Sequence, residues 1–421
     1  MNVVHVVKNS AGGAGKAAIR LCDALKSKGI NVTLIVCDND NIQRDEALVL
    51  GKGNFVTRVI RYADKKITRI VRKMPDYPFS TSFVGGYRLN KLKCVQEADI
   101  IHLHWTCGAV SSNDIKKIAM TGKPIVWTTH DIWPMTGGCH VIYRNCKQYV
   151  KDCMDCQFLI NRSKLANRIL RDKERCFRYF QINVITPSLW AKNLALESKL
   201  FKDSLITAIP NALCEELSKR KNTNEINDIF MDFQDFYDGK KINILFIATS
   251  TALPFKGYFY FEKILKRLYE QKRELADKVV LHIVGENIKD SEVISLYAHK
   301  NWGYIKDNNE LSNIYSLMSL TINPSLADNF PYTVMESLAC GTPVLAFNTG
   351  GIPELVQHKK SGYIAEYENE DDLYDGLVWL IEKADLKAMG EFGSEDINQR
   401  CNPAVVADKH IDFYKYILGK E

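Results

Sequence analysis

The 421-residue chain has no run of about 18 apolar residues, so nothing in it reads as a membrane-spanning helix. Its beginning lacks the basic start, apolar stretch and cleavage pattern of a secretory signal. These two absences lead to the expectation of a soluble, cytoplasmic protein whose 12 cysteines are mostly reduced. There is no short-period repeat and no low-complexity tract, which argues against a repeat array or a disordered linker. A phosphate-binding P-loop is also missing. Counting back from Gly15–Lys16, Ser10 stands where its first glycine belongs, and Ala17 replaces the hydroxyl residue. The one acidic triplet of metal-binding type, Asp38–Asn39–Asp40, follows a strand and suits a turn. No divalent metal is therefore expected in the chemistry.

What is present is an ordinary globular composition, 46% apolar and 25% charged, in a chain long enough for two domains. Short β-branched runs alternate with amphipathic helical stretches. Strands are expected at Val3–Val7, Val32–Cys37, Ile100–His104, Ile125–Thr129, Ile182–Thr186 and Leu205–Ile209, then at Ile242–Ala248, Val279–Val284, Leu320–Asn323 and Val344–Phe347. This rhythm predicts an α/β fold of two doubly wound parallel sheets. Domain one spans residues 1–211 and domain two 212–402, and a last helix at 403–421 packs back on either. Residues 222–239 look like an acid-rich surface excursion.

The net charge is +6 and it is unevenly placed. Residues 57–74 carry Arg58, Arg61, Lys65, Lys66, Arg69, Arg72 and Lys73 against the single acid Asp64, with apolar residues at helical spacing between them. A basic amphipathic helix of this kind suits an anionic membrane surface. The alternative is a solvated helix packed on its own domain by its apolar face. No nucleic-acid partner is expected.

In doubly wound sheets ligands bind beyond the carboxyl ends of the strands, so motifs at strand ends matter most. In "NPSLADNFPYTVMESLACGTPV", Asp328 lies in a loop and Glu336 on the helix opened by Pro331. The amides of Tyr332, Thr333 and Val334 are the unpaired donors at the start of that helix. An anion site flanked by two carboxylates suits a ligand with phosphate in its middle and a sugar at each end. The plainer alternative is a capping acid and a surface glutamate.

Near the start, "VVHVVKNSAGGAGKAAIR" gives a strand, a glycine loop and a helix. Gly13, Gly15 and Ala18 match a dinucleotide fingerprint, with Asp38 as its ribose acid, but five residues separate Val7 from Gly13. The other reading is a Gly12–Gly13 loop that lets backbone approach a ligand. His130–Asp131 ends the strand of "PIVWTTHDIW", so His130 either faces a ligand or is a structural histidine satisfied by Asp131. His102 and His104 share a strand face, with no third metal ligand apparent nearby. Cys139, Cys146, Cys153 and Cys156, spaced C-x6-C-x6-C-x2-C, are compatible with a structural zinc or with free thiols. In the second half, Lys256 precedes a helix and Gly285 sits at a strand end.

The Asp328–Glu336 stretch resembles the E-x7-E signature of the family-4 retaining glycosyltransferases. "HDIWPMTGGCH" with its trailing cysteines resembles their capsule and exopolysaccharide subgroup. The resemblance covers nearly the whole chain and implies a GT-B fold, two facing Rossmann-like domains with an interdomain cleft. It implies a sugar moved, with retention, from a nucleoside-diphosphate-sugar (UDP or GDP) to a saccharide acceptor, lipid-linked in surface polysaccharide synthesis. Glu336 would hold the ribose and Asp328 the donor sugar, in a pocket lined by Asn329, Phe330 and Pro331. His130 would touch that sugar, Lys256 would neutralise the diphosphate, and Gly12–Gly13 would approach it. Trp302–Ile305 would meet the base. His104, Trp105 and Asp131 would lie on the acceptor side. No cofactor is implied for catalysis, and a structural zinc is compatible with the cysteines.

Two departures stand out. The first acid is Asp rather than Glu, and Thr251 occupies the place of an arginine usual in the family. They leave open a donor-binding scaffold that has lost activity, or an epimerase of the same fold.

Overall fold

The computed structural model describes every residue except 39–41, 52, 54, 74–76, 143–145, 161–163, 219–220, 222–225, 227–240, 251–252, 287–290 and 420–421. The acid-rich excursion apart from Ile226, most of the Asp38–Asn39–Asp40 turn, and Thr251 therefore lie outside the described residues. The chain forms two compact units, Met1–Ala212 together with Pro403–Glu421, and Leu213–Asn402.

In the first unit the strands are β1 (Asn2–Val7), β2 (Asn31–Val36), β3 (Ala47–Val49), β4 (Ile100–Leu103), β5 (Ile125–Thr128), β6 (Ile182–Thr186) and β7 (Ile206–Ala208). They form one sheet in the order β3-β2-β1-β4-β5-β6-β7, with parallel pairing throughout. The order reverses between β1 and β4. Val3, Val7 and Ile100 face a core that includes Leu21 and Leu25 of α1 (Gly12–Ser27), and Val406 and Tyr414 of the C-terminal helix Pro403–Leu418. That helix therefore belongs to the first unit. Val4, Val6, Ile101 and Leu103 face the opposite core around Trp127 and Trp133.

Helix α2 (Phe55–Val71) is turned the unusual way. Thr57 and Thr68 are buried, and Arg61, Asp64 and Arg72 are half-buried along the same stripe, while Ile70 is 62% exposed and Val59 and Ile67 about half exposed. The inward face is held by polar bonds. Arg61 donates to Asp38 and to the Tyr87 hydroxyl, Asp64 accepts from Thr81, and Arg72 donates to the Tyr77 carbonyl. Packing on its domain through the apolar face, one of the two sequence readings, is thus excluded.

In the second unit β8 (Ile242–Ser250), β9 (Val279–Glu286), β10 (Ala298–Gly303), β11 (Leu320–Asn323), β12 (Val344–Phe347) and β13 (Gly362–Ala365) form a parallel sheet in the order β10-β9-β8-β11-β12-β13. Its order reverses between β8 and β11. Both units are thus doubly wound, and in each the loops after the first and fourth strands of the central pairing flank the switch point where such sheets bind ligands.

Candidate active site

In the second unit the switch point brings together Lys256, after β8, and Asp328, after β11. Lys256 Nζ lies 2.6 Å from Asp328 Oδ2, with both side chains about four-fifths buried. The Leu326 amide donates to the Phe255 carbonyl at 2.8 Å, tying the two loops together. A third loop closes on Asp328 from β12. Gly350 has φ +57°, and a Cβ there would lie 1.6 Å from the Asp328 carbonyl oxygen, so both conformation and space demand glycine.

Helix α3 (Tyr332–Ala339) starts beside this pair. Pro331 stands at its N-cap rather than in its first turn, and no side chain caps the helix. Pro331 has no side-chain acceptor to offer, and the first-turn amides lie at the positive end of the dipole. Glu336 sits on the second turn, 5% exposed. Asn329 is half-buried, whereas the Phe330 ring belongs to the core with Val334 and Met335, so only its backbone can meet a ligand. Gly285 ends β9 in a conformation with φ +152°, where a Cβ would meet the Ala248 carbonyl. The structure thus gathers Lys256, Asp328, Asn329 and the α3 amides. It also shows what sequence did not, that the lysine and the aspartate already neutralise each other. Trp302 donates from Nε1 to His282 Nδ1 at 3.2 Å, and His282 Nε2 meets Asn243 Oδ1 at 2.9 Å.

In the first unit the switch point carries a different chemistry. The Lys8 amide donates to the Trp105 carbonyl at 2.9 Å, and the Lys8 ammonium lies 4.8 Å from the centre of the Trp105 ring. Trp105 Nε1 donates to Asp131 Oδ2 at 2.9 Å, and the other Asp131 oxygen accepts from the Trp133 amide. Asp131 is also 2.6 Å from His140 Nδ1, so its partner is His140 and not His130. Burial alone would lower the His140 pKa, but the Asp131 charge and its hydrogen bond raise it to about 10, so the imidazolium persists at neutral pH. His140 Nε2 then donates to Ser80 Oγ at 2.9 Å.

Two sequence readings are corrected here. His104 is buried and cannot line a surface; Trp105 alone of that pair is partly exposed. A third histidine does approach His102 and His104: His5, from β1, whose ligand atoms lie with theirs inside 4.8 Å. His104 Nδ1 is 2.9 Å from His130 Nε2 and His104 Nε2 is 2.8 Å from His5 Nδ1. Burial lowers His5 to about 3 and His130 to about 4, and His102 and His104 well below their usual value. All four rings are neutral at physiological pH.

The glycine loop also differs from expectation. Gly12 and Gly13 open α1 instead of preceding it. A Cβ on Gly12 would meet nothing, and its requirement is the positive φ; the close approach is at Gly15, where a Cβ would lie 2.4 Å from the Ser10 carbonyl.

Sequence reasoning missed His5, His140 and Lys173. Lys173 is fully buried, donates to the Trp133 and Thr136 carbonyls and lies over the Trp133 ring, with burial lowering its pKa to about 7. It pins the loop that carries Asp131 and His140. The signals existed: a histidine inside the apolar run VVHVV, and a lysine in the apolar stripe Ala166–Ile169–Leu170–Lys173–Phe177 of its helix.

A cavity of about 550 Å³ adjoins this region, lined by Lys8, Asp38, Arg58, Arg61, Asp64 and Trp105 among others. A second, of about 570 Å³, lies near Pro124, Ile125 and Asn183, by the start of β5, away from the ends where this fold binds ligands. The four cysteines Cys139, Cys146, Cys153 and Cys156 share one apolar cluster with Tyr77 and Phe158. A Cys139 hydrogen bond lowers Cys156 to about 7. Among the described residues, the group whose metal-ligand atoms converge within 4.8 Å is the histidine set, not the cysteines.

Comparison with known proteins places this geometry. A model described as Glycosyltransferase Family 4 matches residues 11–216, and one described as Glycosyl transferases group 1 matches residues 241–383. An uncharacterized glycosyltransferase of Haemophilus influenzae is 27% identical over 145 residues, 34% of this chain and 41% of that protein. A 41.2 kDa protein of the cps region of Klebsiella pneumoniae is 24% identical over 234 residues, 54% of this chain and 59% of that protein. The matched stretches thus span less than two thirds of these relatives' own length. The crystal structure of Anabaena HepE in complex with UDP-glucose superposes with a TM-score of 0.64 at 14% identity, over 99% of this chain and 100% of that one. At that identity the likeness is one of fold. With matching models in both units and two doubly wound sheets, the chain belongs to the family-4 glycosyltransferases and has their GT-B fold.

Proposed function

We propose that the chain moves a sugar, with retention, from a nucleoside-diphosphate-sugar to a saccharide acceptor. The observation that carries this reading is the Lys256–Asp328 pair beside the uncapped start of α3, with Glu336 one turn further on. A donor diphosphate takes the α3 amides and draws Lys256 toward its oxygens. Asp328, released from Lys256, accepts from sugar hydroxyls, and Glu336 accepts from the ribose. Charge on the departing nucleotide is thereby stabilised by Lys256 and the helix dipole, with no protein-bound metal invoked. The complex of HepE with UDP-glucose, a protein of the same fold, supports a uridine donor; a GDP-sugar is the other candidate.

The first unit takes the acceptor in this proposal. In the cavity beside Trp105, Lys8, Arg58 and Lys65 form no ion pair among the described residues. They favour an acceptor with negative charge, as a lipid-diphosphate-linked saccharide has. Helix α2 offers its exposed apolar side, Phe55, Val59, Ile67 and Ile70, flanked by Arg58, Lys65, Lys66 and Arg69. That combination suits the surface of an anionic membrane. A role in surface polysaccharide synthesis accords with the likeness to the cps-region protein. A structural zinc at the four cysteines is also proposed, and metal analysis of the purified protein tests it.

The deciding experiment is thermal unfolding with UDP, GDP, ADP and NAD at matched concentration. A ligand at about 100 times its Kd adds about 2.7 kcal/mol. Stabilisation by UDP or GDP that is lost in Glu336→Ala supports the proposal; a response to NAD alone, or to none, overturns it.

A further inference from the structure

One stripe of helix α2 lines the cavity of about 550 Å³ in the first unit. Arg58, Arg61, Asp64, Lys65, Thr68 and Arg72 recur at three- and four-residue spacing, which places them on one side of a helix. Lys8, which follows β1, also lines the cavity and holds its ammonium 4.8 Å from the centre of the Trp105 ring. The volume lies within the usual span of small-molecule sites.

The cations of this wall fall into two sets. Arg61 and Arg72 are engaged within the protein. Arg61 donates to Asp38 and to the Tyr87 hydroxyl, and Arg72 donates to the Thr68 and Tyr77 carbonyls. Lys8, Arg58 and Lys65 have no carboxylate partner among the described residues. The first set fixes the wall, and the second is available to an anion.

Asp64 belongs to neither set. It is the one acid of α2 and it is half-buried. Its Oδ1 accepts from the hydroxyl of Thr81, itself buried, while its Oδ2 has no hydrogen-bond partner among the described residues. Burial raises the Asp64 pKa, opposed by the Thr81 hydrogen bond and the charge of Lys8. A half-buried carboxylate with one oxygen unused carries a desolvation cost that a donor on a ligand would offset.

These groups narrow the ligand by elimination. Phosphate alone would be drawn by the three available cations and repelled by Asp64. A neutral sugar would use Asp64 and leave the cations unanswered. An amine would suit Asp64, but five cations against two carboxylates line the cavity and oppose it. A molecule with phosphate at one end and hydroxyls at the other answers both kinds of group.

We propose that this cavity is a sugar-phosphate subsite in which Asp64 determines specificity: its open oxygen accepts from a sugar hydroxyl, while Lys8, Arg58 and Lys65 take the phosphate. The subsite lies wholly within the first unit. That its sugar phosphate is the acceptor rests on the proposed function. A free sugar phosphate and the headgroup of a lipid-linked saccharide share this chemistry.

The test is a titration of the full-length protein without donor, followed through the Trp105 indole N–H signal in nitrogen-15 NMR and assigned with Trp105→Phe. The probes are inorganic phosphate, the 1-phosphates of glucose, galactose, mannose and N-acetylglucosamine, and the decyl phosphodiesters of the same sugars. At least one sugar 1-phosphate should bind about tenfold more tightly than inorganic phosphate. Asp64→Asn puts an amide in place of the carboxylate. It should weaken that sugar phosphate about tenfold, whereas inorganic phosphate binds at least as tightly as before because a repelling charge is gone. Arg58→Gln combined with Lys65→Gln should weaken both. A structural defect in Asp64→Asn would weaken both ligands, and loss of charge alone would strengthen both; either result overturns the role of Asp64. No saturable shift with any sugar probe overturns the subsite. A decyl ester that binds about tenfold more tightly than its parent identifies a lipid-linked headgroup, and equal affinity identifies a free sugar phosphate; both keep the subsite. The two readings fail separately, because no donor is present. Sugar-phosphate binding in a protein that UDP and GDP do not stabilise would sink the proposed function alone, and stabilisation by UDP or GDP with a silent Trp105 signal would sink the subsite alone.

Discussion

The two sheets share one winding and solve the switch point with opposite electrostatics. In the second unit the loops after β8 and β11 meet through an ion pair, Lys256 with Asp328, next to a helix start whose N-cap, Pro331, has no side-chain acceptor. In the first unit the corresponding loops, after β1 and β4, meet over buried neutral imidazoles, and the charged groups are displaced outward to Lys8, Asp131 and His140. An ion pair that is about one-fifth exposed can exchange partners when a charged ligand arrives. The buried neutral rings of His5 and His104 cannot, because desolvating a charge there is too costly. The topology therefore sets where the chemistry sits, and the side chains decide whether the place is fluid or fixed.

The largest expected effect tests the fluid half. In the proposed reaction Lys256→Ala would leave the diphosphate without its ammonium, and Glu336→Ala would leave the ribose without its acceptor. Each should lower kcat/KM by about 10³-fold or more, measured as sugar transfer or donor hydrolysis. Wild-type turnover in both variants would sink the family-based assignment of the site.

Acid separates the two halves next. His5, His102, His104, His130 and His410 in the first unit have pKa values lowered by burial, against His282 alone among the lowered histidines of the second. A group whose folded pKa is depressed contributes stability above its unfolded value, near 6.5, and loses it as pH falls toward the folded value. Each such histidine that protonates on unfolding adds a slope of about 1.4 kcal/mol per pH unit. His140 has the opposite sign: raised to about 10, its contribution is complete below pH 6.5 and fades as pH climbs through 10. Between pH 6.5 and 4 the first unit should therefore lose protection from hydrogen exchange well before the second, once intrinsic rates are corrected. Equal loss in both units would break the comparison.

How much of this could be read beforehand depends on what each position buries. The central strands β1, β4, β5, β8, β9, β11 and β12 are enclosed on both faces and show as continuous apolar runs, so the doubly wound fold was legible. The strands that were not foreseen, β3, β10 and β13, are all sheet edges, and β10 is exposed or half-exposed throughout. The placement of Lys256 and Asp328 in loops after strands, and of Glu336 on the helix after β11, was legible from the strand–helix rhythm. His5 and Lys173 were not, because each stands in an apolar stripe and only tertiary partners show that a polar group is satisfied there. The inverted packing of α2 was hidden for the same reason. Its polar stripe finds Asp38, Thr81 and Tyr87, and no local pattern announces them.

A smaller effect probes the fixed half. Lys173→Met keeps the stem but strands the Trp133 and Thr136 carbonyls, and should cost about 3 kcal/mol in denaturant unfolding. Trp105→Phe keeps the ring and removes the bond to Asp131. It should raise the acceptor KM about fivefold while donor stabilisation stays unchanged. A shift in donor binding instead would place Trp105 in a different role.

The smallest effect concerns how a buried histidine is told which nitrogen to protonate. An indole N–H can only donate, so Trp302 makes His282 Nδ1 an acceptor and sends the proton on Nε2 to Asn243 Oδ1. In the first unit His5 Nδ1 meets His104 Nε2, and the buried Nε2 of His5 has no hydrogen-bond partner, so the His5 proton belongs on Nδ1. Trp302→Phe should therefore cost only about 1 kcal/mol, the loss of one hydrogen bond, and should release the tautomer of His282 to a mixture visible by nitrogen-15 NMR. The first unit's histidines should be untouched. A change in their tautomers with Trp302→Phe would mean that the two halves are coupled, and that fixed and fluid are properties of the whole chain and not of each sheet.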